Sequence, residues 1–264
     1  MKIATWNVNS IKVRAPQVCA WLQASGTDVL AMQEIKTTDD LFPRDAFDAA
    51  GYDTYVFGQK TYNGVAIAVR RETVAKVEDV VTGIPHYPDE QKRFIAATIT
   101  GKDGALVRLA GVYVPNGQAV GCDKYLYKLD WLSALTHWTR AEIAAGNPLM
   151  IVGDYNIAPT DADVWNPESW KDNILVSEPE RSALKTLLAA GLTDTWNLEL
   201  HDPETYSWWD YRQSGFEKNH GLRIDLMLAA EPLTQRIKDV AVDTAPRATE
   251  KPSDHAPVVL TLSA

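Results

Sequence analysis

One pattern governs what this chain can fold into: short apolar, largely β-branched runs that end abruptly in polar side chains. Such runs occupy residues 2–6, 29–33, 54–57, 64–69, 94–99, 106–112, 149–152, 224–228 and 258–262. Their lengths suit strands, and several are unbroken Val/Ile/Leu/Ala stretches, the pattern of strands covered on both faces. Helical periodicity is found at residues 14–24, 124–145 and 179–190. The last of these has Ser177 three residues before Glu180, a capping-box spacing, and stops before Gly191. Strands outnumber helices and come in hairpin-like pairs, as around Tyr62-Asn63-Gly64, which argues against strict βαβ alternation and a doubly wound sheet. The expected fold is α/β (α+β), with two packed sheets flanked by helices and residues 1–264 forming one domain. At 45% hydrophobic, the chain has the apolar content for that core. The Pro- and Trp-rich stretch 159–170 reads as an ordered surface loop.

Bulk composition narrows the function. Cys19 and Cys122 lie far apart and outside any CxxC spacing, which argues against a disulfide framework or a zinc site and for reduced thiols. No run approaches the roughly 20 apolar residues of a membrane span, and the first strand-like run begins at once, without a signal peptide. A cytoplasmic protein with no membrane partner is therefore expected. A net charge of -9 is opposite to the usual footprint of a nucleic-acid binder and argues against passive DNA binding as a sole role. An enzyme whose own carboxylates hold a divalent cation is compatible with it, because the ion and a local basic rim set the potential where a phosphate sits. Lys36, Lys60, Lys92, Arg93, Arg212, Lys218 and Arg223 are the rim candidates.

The polar clusters at the strand ends carry the chemistry. Residues two apart on an extended backbone point the same way, so Asp154 and Asn156 project together after the 149–152 run, with Tyr155 turned aside. They pair a carboxylate able to accept a proton from water with an amide able to donate to a phosphate oxygen; an ordinary Asp/Asn turn is the plain alternative. Asn7 and Asn9 repeat the spacing after the first run. Glu34 follows the second and is either exposed or held by a cation; hard divalent ions take oxygen ligands. Asp254 and His255 precede the last run and require an irregular turn if both act. His255 is a natural phosphate donor and needs a carboxylate to orient it, for which Asp225 is the candidate. Tyr113 ends the 106–112 run beside the turn Pro115-Asn116-Gly117, and Trp208 and Trp209 have the surfaces to stack on a base or sugar.

Taken in order, Trp6-Asn7-Val8-Asn9-Ser10, Gln33-Glu34-Ile35-Lys36, Gly58-Gln59-Lys60-Thr61-Tyr62-Asn63-Gly64, Tyr113-Val114-Pro115-Asn116-Gly117, Gly153-Asp154-Tyr155-Asn156-Ile157-Ala158-Pro159, Gly221-Leu222-Arg223-Ile224-Asp225 and Ser253-Asp254-His255-Ala256-Pro257-Val258 resemble the motifs of the exonuclease III family of apurinic/apyrimidinic (AP) endonucleases. The resemblance spans nearly the whole chain. It implies a four-layer α/β sandwich of two mixed β-sheets, with the site at one end of both. Glu34 would be the principal ligand of Mg2+ (or Mn2+), with Asn7 and Asp254 close and Asp154, Asn156 and His255 around the ion. Asp154 would orient or deprotonate the attacking water, Asn156 and His255 would stabilise the pentacovalent phosphorus, Asp225 would support His255, and Tyr113 would contact the phosphate or leaving oxygen.

DNA contacts would fall to Asn9, Lys60, Asn63, Arg93, Asn116, Trp208, Trp209, Leu222 and Arg223. Asn9 stands where some relatives carry a metal-binding aspartate, and Leu222 where some place a tryptophan against the abasic sugar. The implied activity is hydrolysis of the bond 5′ to an abasic site in duplex DNA, with removal of blocked 3′ ends or 3′ to 5′ exonuclease action beside it, by a monomer. The same chemistry on RNA, inositol phosphates or sphingolipid head groups is the alternative, and a catalytically silent nucleic-acid-binding protein on this fold is the third.

Overall fold

A computed structural model describes residues 1–263 of the chain. The chain first lays down β1 (Lys2–Asn7), α1 (Ile11–Ser25), β2 (Val29–Gln33), α2 (Arg44–Ala49), β3 (Tyr52–Phe57) and β4 (Val65–Arg70). It continues with β5 (Val74–Thr82), β6 (Phe94–Gly101), β7 (Leu106–Tyr113), α3 (Asp123–Ala144) and β8 (Leu149–Asp154). Next come α4 (Pro167–Trp170), α5 (Glu178–Leu188), β9 (Leu192–Asp194), a two-stranded ribbon of β10 (Trp208–Trp209) and β11 (Gly221–Leu222), β12 (Asp225–Ala230), β13 (Ile237–Val242) and β14 (Val258–Leu262).

Two six-stranded mixed sheets result, ordered β13-β14-β1-β2-β4-β3 and β5-β6-β7-β8-β12-β9. Each has one parallel pair at its centre, β1 with β2 and β7 with β8, joined across the outer face by a helix, α1 or α3. The alternation of the strands divides their side chains between two destinations. Ile3, Val29, Ile67, Ile95, Leu109, Val152, Met227 and Leu260 fill the space between the sheets. Ala4, Trp6, Leu30 and Met32 turn outward under Val18, Trp21 and Leu22 of α1, while Phe94, Val112, Ile151 and Leu228 pack under Trp131 and Leu135 of α3 and Leu184 and Leu187 of α5. Helix, sheet, sheet, helix is the four-layer sandwich the sequence implied.

The capping box at α5 is present in both arms, Ser177 to the N3 backbone and Glu180 back to the cap. Edge strands β5 and β13 depart from expectation, because they were not read as strands at all. In Val74–Thr82 the alternation is broken by register shifts, and most side chains are exposed, so its hydrophobic signal is diluted. Ile237–Val242 has the same weakness, with Lys238 and Asp239 facing solvent and a shift at its start. The 159–170 stretch is ordered, as expected, by a 3-10 turn at Asp161–Asp163 and the single turn of α4. Among the described residues no helix is long and apolar enough to cross a membrane.

What matters for chemistry is where the central strands end. The parallel pairs deliver Asn7 beside Gln33, and Tyr113 beside Asp154, at one pole. Antiparallel β12 begins there, Asp225 opposite Asp154, and β14 begins there just after His255. Gly153 makes the last step of β8 possible, since a Cβ at that position would lie 1.9 Å from the Val112 carbonyl oxygen.

Candidate active site

Asn7 is the hinge of the site. It is fully buried at the end of β1, and its Nδ2 donates to Glu34 Oε1 at 2.9 Å and to Asp154 Oδ2 at 2.9 Å, so one amide joins the two sheets. Its own Oδ1 accepts the Asn9 backbone N–H at 3.0 Å, and the Ser253 hydroxyl donates to its carbonyl at 2.6 Å. Asn9, Ser10, Glu34 and Lys36 all take positive φ angles, 42°, 86°, 50° and 53°. Non-glycine residues adopt such backbone at a cost, and its concentration in two facing loops fits a site that aims side chains rather than one that maximises stability.

Asp154 at the end of β8 and Asp225 at the start of β12, both on the second sheet, and His255 in the turn that enters β14 of the first are each 4% exposed or less. His255 Nδ1 lies 2.8 Å from Asp225 Oδ2, and Nε2 lies 3.7 Å from Asp154 Oδ2. The imidazole thus sits between two carboxylates. Burial alone would lower its pKa, but Asp225 and Asp154 outweigh burial and push it up to about 10. Burial in turn raises Asp154 against the downward pull of His255. The Asp154 carboxylate is further fixed by the Asn156 backbone N–H, 2.9 Å from Oδ1. The start of β12 is held by Ser207, whose hydroxyl accepts the N–H groups of Ile224 at 3.1 Å and Asp225 at 3.0 Å.

Tyr113 completes the cluster. Burial first, then Glu34 and Asp154, drive its phenol well above the ordinary range, so it stays protonated and able to donate. The Arg93 guanidinium lies 4.7 Å from its ring centre. Asn116 is exposed and donates through Nδ2 to Asn156 Oδ1 at 3.2 Å. Asp254 is engaged on both oxygens, by Asn9 Nδ2 at 2.9 Å and Trp208 Nε1 at 3.0 Å.

The donor set fits a hard cation. Asp154, Asp225 and His255 each offer an atom within 4.8 Å of the others, close enough to hold a metal ion. His255 Nδ1 and Asp225 Oδ2 are already spent on each other, however, so Asp154 and Glu34 are the better candidate oxygens. Glu34 already draws a positive charge, the Lys36 ammonium at 2.9 Å, which also donates to Asn9 Oδ1 at 2.6 Å.

Two openings flank the cluster. One is a groove of about 920 Å³ lined by Tyr62, Asn63, Arg93, Tyr113, Asn116, Lys124 and Tyr127 among others. The other, of about 280 Å³, is walled by Trp165, Trp170, Trp208, Arg212 and His220. Trp165 stacks on His220 with ring centres 3.7 Å apart, and Trp170 meets Trp208 edge-on.

Three residues expected at the DNA surface lie elsewhere. Arg223 is 3% exposed, with Nε on Asp163 at 2.6 Å and Nη2 on Asp194 at 2.9 Å, so it braces the fold beneath the site. Leu222 is fully buried and Trp209, 2% exposed, packs on Phe216, because the β10–β11 ribbon is covered on both faces, by Val164 and Ile224 over Leu222 and by Tyr206 and Ala256 over Trp209. Asn63 lines the groove, but its amide donates to Gln59 and Gln91. Lys60 is exposed beside it. Sequence reading passed over Ser207, Lys124 and Lys128. Lys124 and Lys128 share one face of α3 at i, i+4 spacing, the signal that would have found them.

The comparisons agree with this geometry. Residues 4–255 match the model of the Endonuclease/Exonuclease/phosphatase family. The chain is 35% identical to exodeoxyribonuclease III of Haemophilus influenzae, over 98% of each protein. It superposes on the 3′ phosphatase NExo from Neisseria bound to product DNA hairpin with a TM-score of 0.94 and 43% identity, covering 100% of both chains. An AP endonuclease from Archaeoglobus fulgidus gives 0.93 and 36%, again over 100% of both. With a family model spanning most of its length and a full-length exodeoxyribonuclease III relative, the chain belongs to the endonuclease/exonuclease/phosphatase family and is a nuclease-type hydrolase.

Proposed function

We propose that this enzyme repairs DNA by hydrolysing the phosphodiester bond 5′ to an abasic site in duplex DNA, leaving a 3′-hydroxyl and a 5′-deoxyribose phosphate. The observation that carries the reading is the bridge from Glu34 through Asn7 to Asp154, which puts a cation-seeking carboxylate and a buried proton acceptor within one amide of each other. Asp154 accepts a proton from the attacking water. His255, held by Asp225 and cationic between two carboxylates, donates from Nε2 to the developing negative charge on the phosphate, and Asn156 adds a neutral donor. Tyr113, kept protonated by burial and the neighbouring carboxylates, supplies a further hydrogen bond to a phosphate oxygen or the leaving oxygen. Glu34 and Asp154, with Asn7 and Asp254 close, would hold Mg2+ or Mn2+, whose charge, when bound, neutralises the phosphate and eases departure of the leaving oxygen. The groove beside Tyr113 offers Asn116, Arg93 and Lys124 to a DNA strand, and these two cations offset Asp89 and Glu90 in its lining although the chain is acidic overall.

A second activity, removal of blocked 3′ ends, is favoured by the 43% identity with NExo, described as a 3′ phosphatase. Both are tested by incubating the protein with magnesium and two duplexes, one carrying an internal abasic site and one a 3′-phosphate at a nick. Nicking of the first supports the proposal. Release of phosphate from the second without nicking of the first would replace it with a 3′-end-processing enzyme, and cleavage of neither would remove both.

A further inference from the structure

Lys128 has no solvent exposure, yet it is a lysine, and its three donor positions are all used. Nζ donates to the main-chain carbonyl of Asn156 at 2.6 Å, to that of Asn116 at 3.2 Å and to the carboxylate of Glu180. Glu180 is equally buried and is itself pinned by the α5 cap, accepting the N–H groups of Leu175 and Ser177 at 3.1 Å each and the Ser177 hydroxyl. The ion pair is thus anchored on α5 and reaches from α3 into two loops, the one after β7 and the one after β8.

Those loops carry the two amides beside the catalytic carboxylate. Asn116 Nδ2 gives one hydrogen to Asn156 Oδ1 at 3.2 Å, and Asn156 Nδ2 gives one to the Val114 carbonyl at 3.0 Å. Each amide keeps a second N–H that donates to no protein group among the described residues. Asn156 also holds a φ of +50°, which needs support on both sides. Asp154 Oδ1 takes its N–H at 2.9 Å, and Lys128 takes its carbonyl. Gly117, at φ +91°, gives way to the lysine stem, since a Cβ there would stand 3.2 Å from Lys128 Cδ. A buried Lys–Glu pair is a poor stabilising device in itself, as apolar residues of similar volume often serve equally well. What apolar residues could not do is hold two carbonyls from separate loops.

We propose that Lys128 is a positioning residue: its nitrogen locks the Asn116 and Asn156 loops together so that their remaining amide N–H groups meet on one phosphate. This rests on the reading of Asn116 and Asn156 as phosphate contacts. The test compares Lys128→Met/Glu180→Leu, which removes both charges at once, with Glu180→Gln, which removes the ion pair but leaves a lysine nitrogen with hydrogens for both carbonyls. Turnover is measured on the abasic duplex and on bis(4-nitrophenyl) phosphate. The side-chain amide signals of Asn116 and Asn156 are followed by 15N NMR as inorganic phosphate is added.

The double variant should fold and lose kcat about a hundredfold with KM within about threefold, and its asparagine signals should no longer respond to phosphate. Glu180→Gln should lower the thermal midpoint but keep kcat within about threefold. A folded double variant with near wild-type kcat and normal phosphate-induced shifts overturns the proposal. So does a Glu180→Gln enzyme that, fully folded, loses as much kcat as the double variant. Should the double variant fail to fold, Lys128→Gln/Glu180→Gln takes its place under the same criteria. A wild-type enzyme that ignores the abasic duplex but shows the phosphate response would refute the substrate assignment alone.

Discussion

Two buried charge clusters lie at the same pole of this molecule, and they are built to opposite rules. Around Arg223 every carboxylate oxygen has a donor. Asp163 takes Arg223 on one oxygen and the Thr160 N–H and hydroxyl at 2.9 and 2.8 Å on the other, while Asp194 takes Arg223 and the Trp196 N–H at 3.2 Å. Around His255 the sums do not close. Asp225 Oδ1 has no partner among the described residues, and a 3.7 Å gap separates Nε2 from Asp154. A saturated cluster fixes the shape of the chain and has nothing left to offer; an open one keeps its valences for an incoming group, at the expense of stability. The proposed chemistry therefore falls to the open cluster although both are buried.

The largest test of that contrast is Asp154→Asn. The amide is nearly isosteric, so folding is retained, but proton acceptance is lost, and nicking should fall by at least about 10³, equivalent to about 4 kcal/mol of transition-state stabilisation. A urea unfolding midpoint close to wild type, measured beside the rate, keeps the loss on the chemical link. Arg223→Met should show the mirror image. Two carboxylates left unpaired in the interior cost about 3–5 kcal/mol of stability, read as a fall in the urea midpoint, while the rate per folded molecule holds. If Arg223→Met also removed turnover from fully folded protein, the division between bracing and reacting clusters would break.

Asp225→Asn sharpens the comparison from within the open cluster. The amide can still accept from Nδ1, but the negative charge that most raises the His255 pKa is gone, so the imidazolium is lost first. A fall in kcat of about 10², with Mn2+ affinity by calorimetry within about threefold of wild type, is the expected result. Collapse of Mn2+ binding instead would move Asp225, with its partnerless oxygen, into the coordination sphere.

How far the sequence announced all this differs by type of residue. Asn7, Glu34, Asp154 and His255 were legible because each lies within three residues of the end of an apolar run, and strand ends at a common pole are where such groups meet. The two-sheet core was legible for the same reason, since β2, β4, β8 and β12 carry continuous apolar runs. Edge strands β5 and β13 were not, because one solvated face and a bulge erase the alternation on which the inference depends. Arg223 misled for a different reason. A charge two residues before the candidate site's Asp225 looks solvent-facing in sequence, and only the partners Asp163 and Asp194, brought in from other segments, reveal that it is interior. Burial of a charge is a tertiary fact, and composition carries no trace of it.

The smallest effect concerns the rim where the open cluster meets solvent. Asp254 is half-buried and receives two donors, Asn9 Nδ2 and Trp208 Nε1, so it resembles the saturated cluster in bonding and the open one in position. Trp208→Phe keeps an aromatic wall on the 280 Å³ pocket while deleting the indole donor. One neutral-to-charged hydrogen bond at a partly wet carboxylate is worth about 1–2 kcal/mol, and Asn9 still holds the other oxygen. The Mg2+ concentration giving half-maximal nicking should therefore rise by about fivefold, because Asp254 must now be ordered as the ion binds, with turnover at saturating Mg2+ nearly unchanged. A loss of a hundredfold at saturating Mg2+ would place the Trp208–Asp254 bond inside the reacting cluster and redraw its boundary to include β10.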